Sequence, residues 1–254
     1  MLESLLRIAR EAGNISLRYF GNLQQEQISC KSEVDMLTVA DKEVEEYLRK
    51  ELYSEFPEVT FIGEESFTGK EKEKESTDAF IVDPIDGTTN FIHNLPAYAV
   101  SIAFESAGQT KIGVVYCPFL NTMYYAERGE GAYRDGVRIR VSATDKLINA
   151  LASSGFACVR ERNKPDNMKV FQNMVYNLRG IRISGSAAYD CCTVAEGVTD
   201  IYWEYNLKKW DVAAGALIVE EAGGTVTDLF GNEDYDPAHS FVASNKTLHQ
   251  PFLR

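Results

Sequence analysis

The apolar run Ala79-Phe80-Ile81-Val82 ends in Asp83-Pro84-Ile85-Asp86-Gly87-Thr88-Thr89-Asn90, two carboxylates three residues apart followed by a glycine and two hydroxyl side chains. A buried strand delivering polar groups into a turn has this pattern. Pro84 has no N–H to give a sheet, so the strand is expected to stop at Asp83 and leave both carboxylates free to converge. Carboxylates in a dry pocket repel unless a cation lies between them, and hard oxygen donors select magnesium, manganese or calcium. Taken alone, the same residues also read as a solvated acidic turn. The run Val59-Thr60-Phe61-Ile62 repeats the design, ending in Gly63-Glu64-Glu65-Ser66. Two neighbouring strands presenting acids at one edge would build an oxygen cage for several ions.

Periodicity predicts the elements around these strand ends. Leu2, Leu5, Leu6, Ala9 and Ala12 recur at helical spacing, predicting an amphipathic helix that ends near Gly21. Asp35-Met36-Leu37-Thr38-Val39-Ala40-Asp41 leads into a second helix with Val44, Tyr47, Leu48 and Leu52 on one face. Thr38 and Asp41 read equally well as caps of that helix or as site residues. The alternating charges Lys70 to Glu75 read as a solvated loop. Strands are expected at 100–104, 111–116, 123–126 and 137–141, an antiparallel meander with an Asp135-Gly136 turn. From about residue 142 the chain alternates between strands (150–153, 181–184, 200–203) and helices (166–178, 187–196, 212–222). Asp211 is expected at the N-cap of the last of these, which Gly223-Gly224 closes. The chain is thus expected to divide into residues 1–141, with helices, antiparallel sheet and most candidate ligands, and residues 142–254, an α/β layer supplying Asp211.

A net charge of −12 over 254 residues, with no cluster of Lys and Arg, excludes the basic footprint that grips a nucleic-acid backbone. An anionic small substrate stays compatible, because bound divalent ions reverse the local sign. Five cysteines (Cys30, Cys117, Cys158, Cys191, Cys192) form neither an even framework nor a C-x-x-C pair, which fits a reducing cytoplasm. No run approaches the roughly 18 apolar residues of a membrane span, and no secretory leader is expected. Gly63 to Lys70 lacks P-loop spacing, Gly129-Glu130-Gly131 lacks the third glycine of a dinucleotide fingerprint, and His93, His239 and His249 have no zinc spacing. There is no nucleophile elbow of the G-x-S-x-G type either.

Five segments, in order along nearly the whole chain, carry a resemblance. They are Asp35-x-x-Thr38-x-x-Asp41, Gly63-Glu64-Glu65-Ser66, Asp83-Pro84-Ile85-Asp86-Gly87-Thr88-Thr89-Asn90-Phe91, Gly185-Ser186-Ala187-Ala188 and Trp210-Asp211-x-Ala213-Ala214-Gly215. With them the chain resembles the inositol monophosphatases, of the magnesium-dependent, lithium-sensitive sugar phosphatase superfamily. The resemblance implies a layered αβαβα sandwich of mixed α+β and α/β character, usually a homodimer, that hydrolyses a phosphate monoester to an alcohol and phosphate. Two or three Mg2+ ions are implied, with Mn2+ as a substitute.

Residue by residue, the resemblance implies that Glu64, Asp83 and the Ile85 carbonyl hold one ion and that Asp83, Asp86 and Asp211 hold a second. Thr88, hydrogen-bonded to Asp41, would orient and help deprotonate a water, with Asp35 in support. The N–H groups of Gly87 and Thr88 would hold the phosphate, while Asp86, Ala187, Glu204 and Ser153 or Ser154 face the alcohol. Inositol 1-phosphate is the first expected substrate. The alternative is a dual sugar phosphatase that also takes fructose 1,6-bisphosphate, with Arg160, Arg162 and Lys164 near a second phosphate. A regulatory protein that kept the fold without catalysis is the third reading.

Overall fold

The computed structural model describes residues 1–30, 36–68 and 77–254. Asp35 and the run Lys70 to Glu75 lie outside them. Helix α1 (Leu2–Tyr19) forms as its periodicity requires, and β1 (Ile28–Cys30) pairs antiparallel with β2 (Met36–Thr38). Thr38 then caps α2 (Val39–Glu55). Its hydroxyl oxygen accepts the Ala40 N–H at 3.1 Å, and the Asp41 carboxylate accepts the Thr38 N–H at 2.9 Å, a reciprocal capping box.

Strand β3 (Thr60–Gly63) pairs in parallel with β4 (Asp78–Asp86), so the acids that follow each apolar run emerge at one sheet edge. This corrects the expectation of a purely antiparallel sheet. It also corrects the stop at Asp83: β4 continues through Pro84, because Asp83 faces Ser101 while Asp86 faces Ala99. One extra residue is bulged out there, and a bulge removes the ladder bond that proline cannot make. After the short helix α3 (Thr88–Ile92) the sheet goes on antiparallel. It adds β5 (Ala99–Ser106), β6 (Gln109–Cys117), β7 (Thr122–Glu127), β8 (Gly131–Arg134) and β9 (Val137–Arg138). Its order among the described residues is β3-β4-β5-β6-β7-β8-β9. The Asp135-Gly136 turn is present, both residues at positive φ, but the strand expected at 137–141 shortens to two residues. Beyond Arg138 the chain leaves the sheet, and the Val141 N–H donates to the Ala222 carbonyl.

The second half alternates as expected, with shifted bounds. It comprises β10 (Leu151–Ser154), α4 (Ala157–Arg160), α5 (Met168–Met174), β11 (Gly180–Arg182), α6 (Ala187–Ala195) and β12 (Ile201–Glu204). Then follow α7 (Lys209–Glu221), β13 (Gly224–Thr227), β14 (Phe241–Asn245) and α8 (His249–Leu253). The sheet order is β11-β10-β12-β14-β13, with β14 antiparallel to both its neighbours. No helix among the described residues is long and apolar enough to cross a membrane.

The alternation of side chains along β4 sets the layers. Phe80 and Val82 pack with Leu5, Ile8, Val44 and Leu48 of α1 and α2, whereas Ile81 joins α6 and α7 on the opposite face. Those two helices also cover Tyr202, Phe241 and Ala243 of the second sheet, whose far face packs Ala152, Trp203 and Val242 against Phe252 of α8. The result is the αβαβα sandwich the resemblance implied. Asp83 follows the parity of Ile81, which directs it to the side where α7 begins.

Helix α7 lies close because its inner residues are small: Ala213, Ala214, Gly215 and Ala216. A Cβ added at Gly113 of β6 would sit 2.6 Å from the Ala214 carbonyl oxygen and 3.0 Å from its Cα. Backbone cannot swing aside as a long side chain can. Gly113→Ala is therefore expected to lower the urea unfolding midpoint, by the equivalent of about 1–3 kcal/mol; an unchanged midpoint would show that α7 lifts freely from the sheet.

Candidate active site

Six carboxylates, from Glu64, Asp83, Asp86, Asp190, Glu204 and Asp211, line one cavity of ≈ 180 Å³ between the layers, and among the described residues no lysine, arginine or histidine does. The parallel β3–β4 pair brings the first two together: the Glu64 N–H donates to the Val82 carbonyl at 3.1 Å, and the Glu64 carboxyl reaches hydrogen-bond range of Asp83. Asp83 itself accepts the Ile85 N–H at 3.0 Å, which fixes it in the bulge.

Asp86 is held by a different segment. Its carboxylate accepts the Ser186 hydroxyl at 2.5 Å, the Ala188 N–H at 2.7 Å and the Ala187 N–H at 3.3 Å, so it caps the start of α6 from across the cavity. Gly87 follows with φ +97° and begins α3. A Cβ there would stand 3.1 Å from both the Ala97 and Gly185 carbonyl oxygens, which is why this turn needs glycine twice over. Asp211 is not the N-cap of α7, as its sequence position suggested. Lys208 takes that place, and Asp211, three residues on, accepts the Lys208 N–H at 2.7 Å.

Thr88 stands between Asp41 and Ile85: its hydroxyl lies 3.2 Å from the Asp41 carboxylate and 3.1 Å from the Ile85 carbonyl oxygen. One hydroxyl proton serves one acceptor at a time, and when it serves Asp41 the oxygen keeps lone pairs for a water proton. Asp41 is fully buried, its other oxygen taken by the Thr38 N–H and hydroxyl. The carboxylate that completes the α2 cap is thus also the one that faces Thr88.

Burial dominates the electrostatics. It pushes Asp41 and Asp86 up to about 6 against the hydrogen bonds they accept, Asp190 up to about 7 and Glu204 up to about 8. Asp83 rises well above the ordinary range through burial and then through repulsion from Glu64, Asp86 and Asp211. Asp211 rises likewise, through burial and then through Asp86 and Glu64. Among the described residues no three of these groups already converge as closely as metal ligands do; Asp86 and Asp211 are engaged with backbone N–H groups. The donor chemistry nevertheless fits hard divalent cations, since oxygen anions crowd one cavity with no basic side chain to neutralise them.

Of the residues singled out in the sequence, Glu64, Asp83, Ile85, Asp86, Gly87, Thr88, Ala187, Glu204 and Asp211 line this cavity, and Asp41 stands directly behind Thr88. Ser153 does not. It is fully buried outside the lining, with its hydroxyl beside Asp190, and Ser154 is equally buried and donates to the Trp203 carbonyl at 2.9 Å. Gly155 and Ala157 take the place expected for them. Sequence reasoning missed Asp190, whose carboxylate accepts the Ser184 hydroxyl at 2.5 Å. The available signal was a lone acid in the otherwise small and apolar helix α6, a helix with no polar face to put it on. Arg160, at the end of α4, and Arg162 and Lys164, in the loop after it, are exposed and lie outside the lining.

The family model described as "Inositol monophosphatase family" matches residues 1–254. An inositol-1-monophosphatase of Mesorhizobium japonicum is 37% identical over 254 residues, 100% of this chain and 95% of that protein. The Nus factor SuhB of Pasteurella multocida is 39% identical over 253 residues, covering 100% and 94%. Among solved structures, the extragenic suppressor protein suhB from Bartonella henselae superposes with a TM-score of 0.91 at 37% identity, covering 100% of this chain and 96% of that one. With the family model matching residues 1–254 and relatives at 37% and 39% identity covering the chain throughout, the chain belongs to the inositol monophosphatase family.

Proposed function

We propose that the protein is a divalent-metal-dependent phosphomonoesterase whose substrate is an inositol monophosphate, hydrolysed to inositol and phosphate. The observation that carries this is the cavity of six carboxylates without a base: a dianionic ester cannot enter it unless cations come too. Glu64, Asp83, the Ile85 carbonyl, Asp86 and Asp211 would hold magnesium. When bound, such ions lower the pKa of water and neutralise phosphate oxygens and the leaving alkoxide.

The chain's own groups do the rest. Asp41 orients the Thr88 hydroxyl and draws on its proton, so that Thr88 accepts from the attacking water. The Gly87 and Thr88 N–H groups receive the phosphate at the start of α3. Glu204, held by the Tyr202 hydroxyl at 2.8 Å, takes a hydroxyl of the alcohol, with Ala187 beside it. The exposed position of Arg160, Arg162 and Lys164 gives a second phosphate no partner in the cavity, which favours a monophosphate over fructose 1,6-bisphosphate. The naming of several relatives as Nus factors favours a second reading, a binding role beside catalysis.

Phosphate release from inositol 1-phosphate is expected to depend on magnesium and to exceed release from fructose 1,6-bisphosphate. Asp86→Asn should cut kcat by at least ~100-fold with an unchanged far-UV spectrum; near-normal turnover would remove Asp86 from the reaction.

The raised carboxyl pKa values set a pH dependence of stability. A carboxyl that holds its proton more tightly when folded stabilises the chain below its unfolded pKa, near 4, and that contribution disappears as pH rises through the folded value. With Asp41 and Asp86 at about 6, Asp190 at about 7 and Glu204 at about 8, the metal-free protein should lose stability steadily between pH 5 and 8. In chelator, Tm is expected to fall by roughly 5–10 °C across that window, and magnesium should restore most of the loss at pH 8. A flat Tm in chelator would contradict the burial of these carboxyl groups on which the metal site rests.

A further inference from the structure

Glu204 ends β12, and beside the Tyr202 hydroxyl its carboxylate has a second neighbour that sets its position. Strand β12 stays paired to β14 through Glu204 and Phe241, whereas β10 and β12 run parallel up to the pair Ser154 and Trp203, and beyond that pair the ladder between these two strands stops. Just past it, Gly155 meets the Glu204 carboxylate: a Cβ on Gly155 would stand 2.3 Å from each of its oxygens. The position of Gly155 therefore decides how far the carboxylate extends into the cavity, which Gly155 and Glu204 both line.

A single buried side chain ties the two diverging chain ends together. Asn167, with no exposed surface, donates its amide N–H to the Gly155 carbonyl and accepts the Tyr205 N–H at 3.1 Å. The orientation is unambiguous, because a carbonyl only accepts and a backbone N–H only donates. One partner is the residue pressed against the Glu204 carboxylate; the other is the residue that follows Glu204 in the chain. The amide thus extends the β10–β12 pairing one step past the last ladder bond, at the point where the site needs it rigid. An aspartate lacks the donor for Gly155, and alanine lacks both groups.

We propose that Asn167 is a positioning residue for alcohol selection, holding Glu204 at the depth where its carboxylate meets a hydroxyl of the ester's alcohol half. The proposal rests on the phosphomonoesterase reading. It predicts an effect confined to substrates that carry such a hydroxyl, which a merely structural role would not produce.

The test compares inositol 1-phosphate with phenyl phosphate, which offers Glu204 nothing to bind, in the magnesium-loaded full-length protein. Asn167→Ala is expected to raise KM for inositol 1-phosphate about tenfold, with a smaller change in kcat, and to change kcat/KM for phenyl phosphate by less than about twofold. Glu204→Gln should show the same split, and adding Asn167→Ala to it should cost much less than tenfold more, since the two act through one contact. If the alanine variant does not fold, Asn167→Asp, which keeps the Tyr205 acceptor and the shape, should give the same split. Equal losses on both substrates, no loss on either, or additive effects with Glu204→Gln would overturn the role of Asn167 while leaving the phosphatase reading intact. A wild-type protein that binds magnesium and hydrolyses neither ester would overturn both.

Discussion

Like charges confined to a small dry space govern this structure more than any apolar contact does. Carboxyl groups that share ≈ 180 Å³ without a neutralising base hold their protons more tightly, through burial first and repulsion second, and oppose folding unless they are answered locally. The chain answers them with directed N–H and O–H groups. Ile85 serves Asp83, the start of α6 serves Asp86, Lys208 serves Asp211, Ser184 serves Asp190, Tyr202 serves Glu204, and Thr38 and Thr88 serve Asp41. These bonds hold every one of those acids in place but do not cancel its charge, and the surplus is what gives the cavity its appetite for cations. A fully satisfied polar network would be more stable and would have no reason to take metal.

Delivering those donors demands close layers. The acids come from β4, the β3 exit, α6, α7 and β12, on three different layers, so any slack between sheet and helix would open the cavity to water and dissolve the effect. Small residues remove the slack. Gly113 meets the Ala214 backbone, and Gly215 leaves room for the Cys191 side chain, whose Cβ would lie 2.5 Å from an added Cβ. Asn90 performs the equivalent task in the loops, its amide donating at 2.6 Å to both the Ala97 and Ser184 carbonyl oxygens and so joining the Gly87 turn to the approach to α6. The alanines and glycine after Asp211 in the sequence are explained by this approach.

Much of this was legible in the chain. Apolar runs ending in acids gave β3 and β4 and their shared edge, and 3.6-residue periodicity gave α1 and α2. What stayed hidden depends on partners remote in sequence. The bulge at Pro84 exists because Ser101 and Ala99 keep the strand paired around it, and nothing within residues 78–86 announces that. Asp211 sits at the third position of α7 because Lys208 begins the helix earlier than the apolar pattern does. The resemblance alone puts Ser153 or Ser154 in the pocket, yet both serines are fully buried outside its lining. Asp190 was passed over, since an acid inside a helix is ordinarily a solvated one and only the sandwiching of α6 between two sheets buries it.

The cavity has two ends with separate supports. Glu64, Asp83, Asp86 and Thr88 stand on the first sheet and its bulge, where ladder bonds on both sides fix the chain. Gly155 and Ala157 stand past the last paired residue of β10, and Glu204 closes β12 with a ladder partner on one side only, Phe241 of β14; on the other side a side chain, Asn167, carries the connection. Precision is therefore unequal by construction. On the proposed reading, displacement chemistry tolerates little misplacement of its charged groups, whereas selection of the alcohol would rest on Glu204 and the loop after β10, which can change without disturbing the strand ends of the first sheet. On the phosphomonoesterase reading, changes at Glu204 and in the segment after β10 would alter the choice of alcohol while the acids of the first sheet keep the reaction.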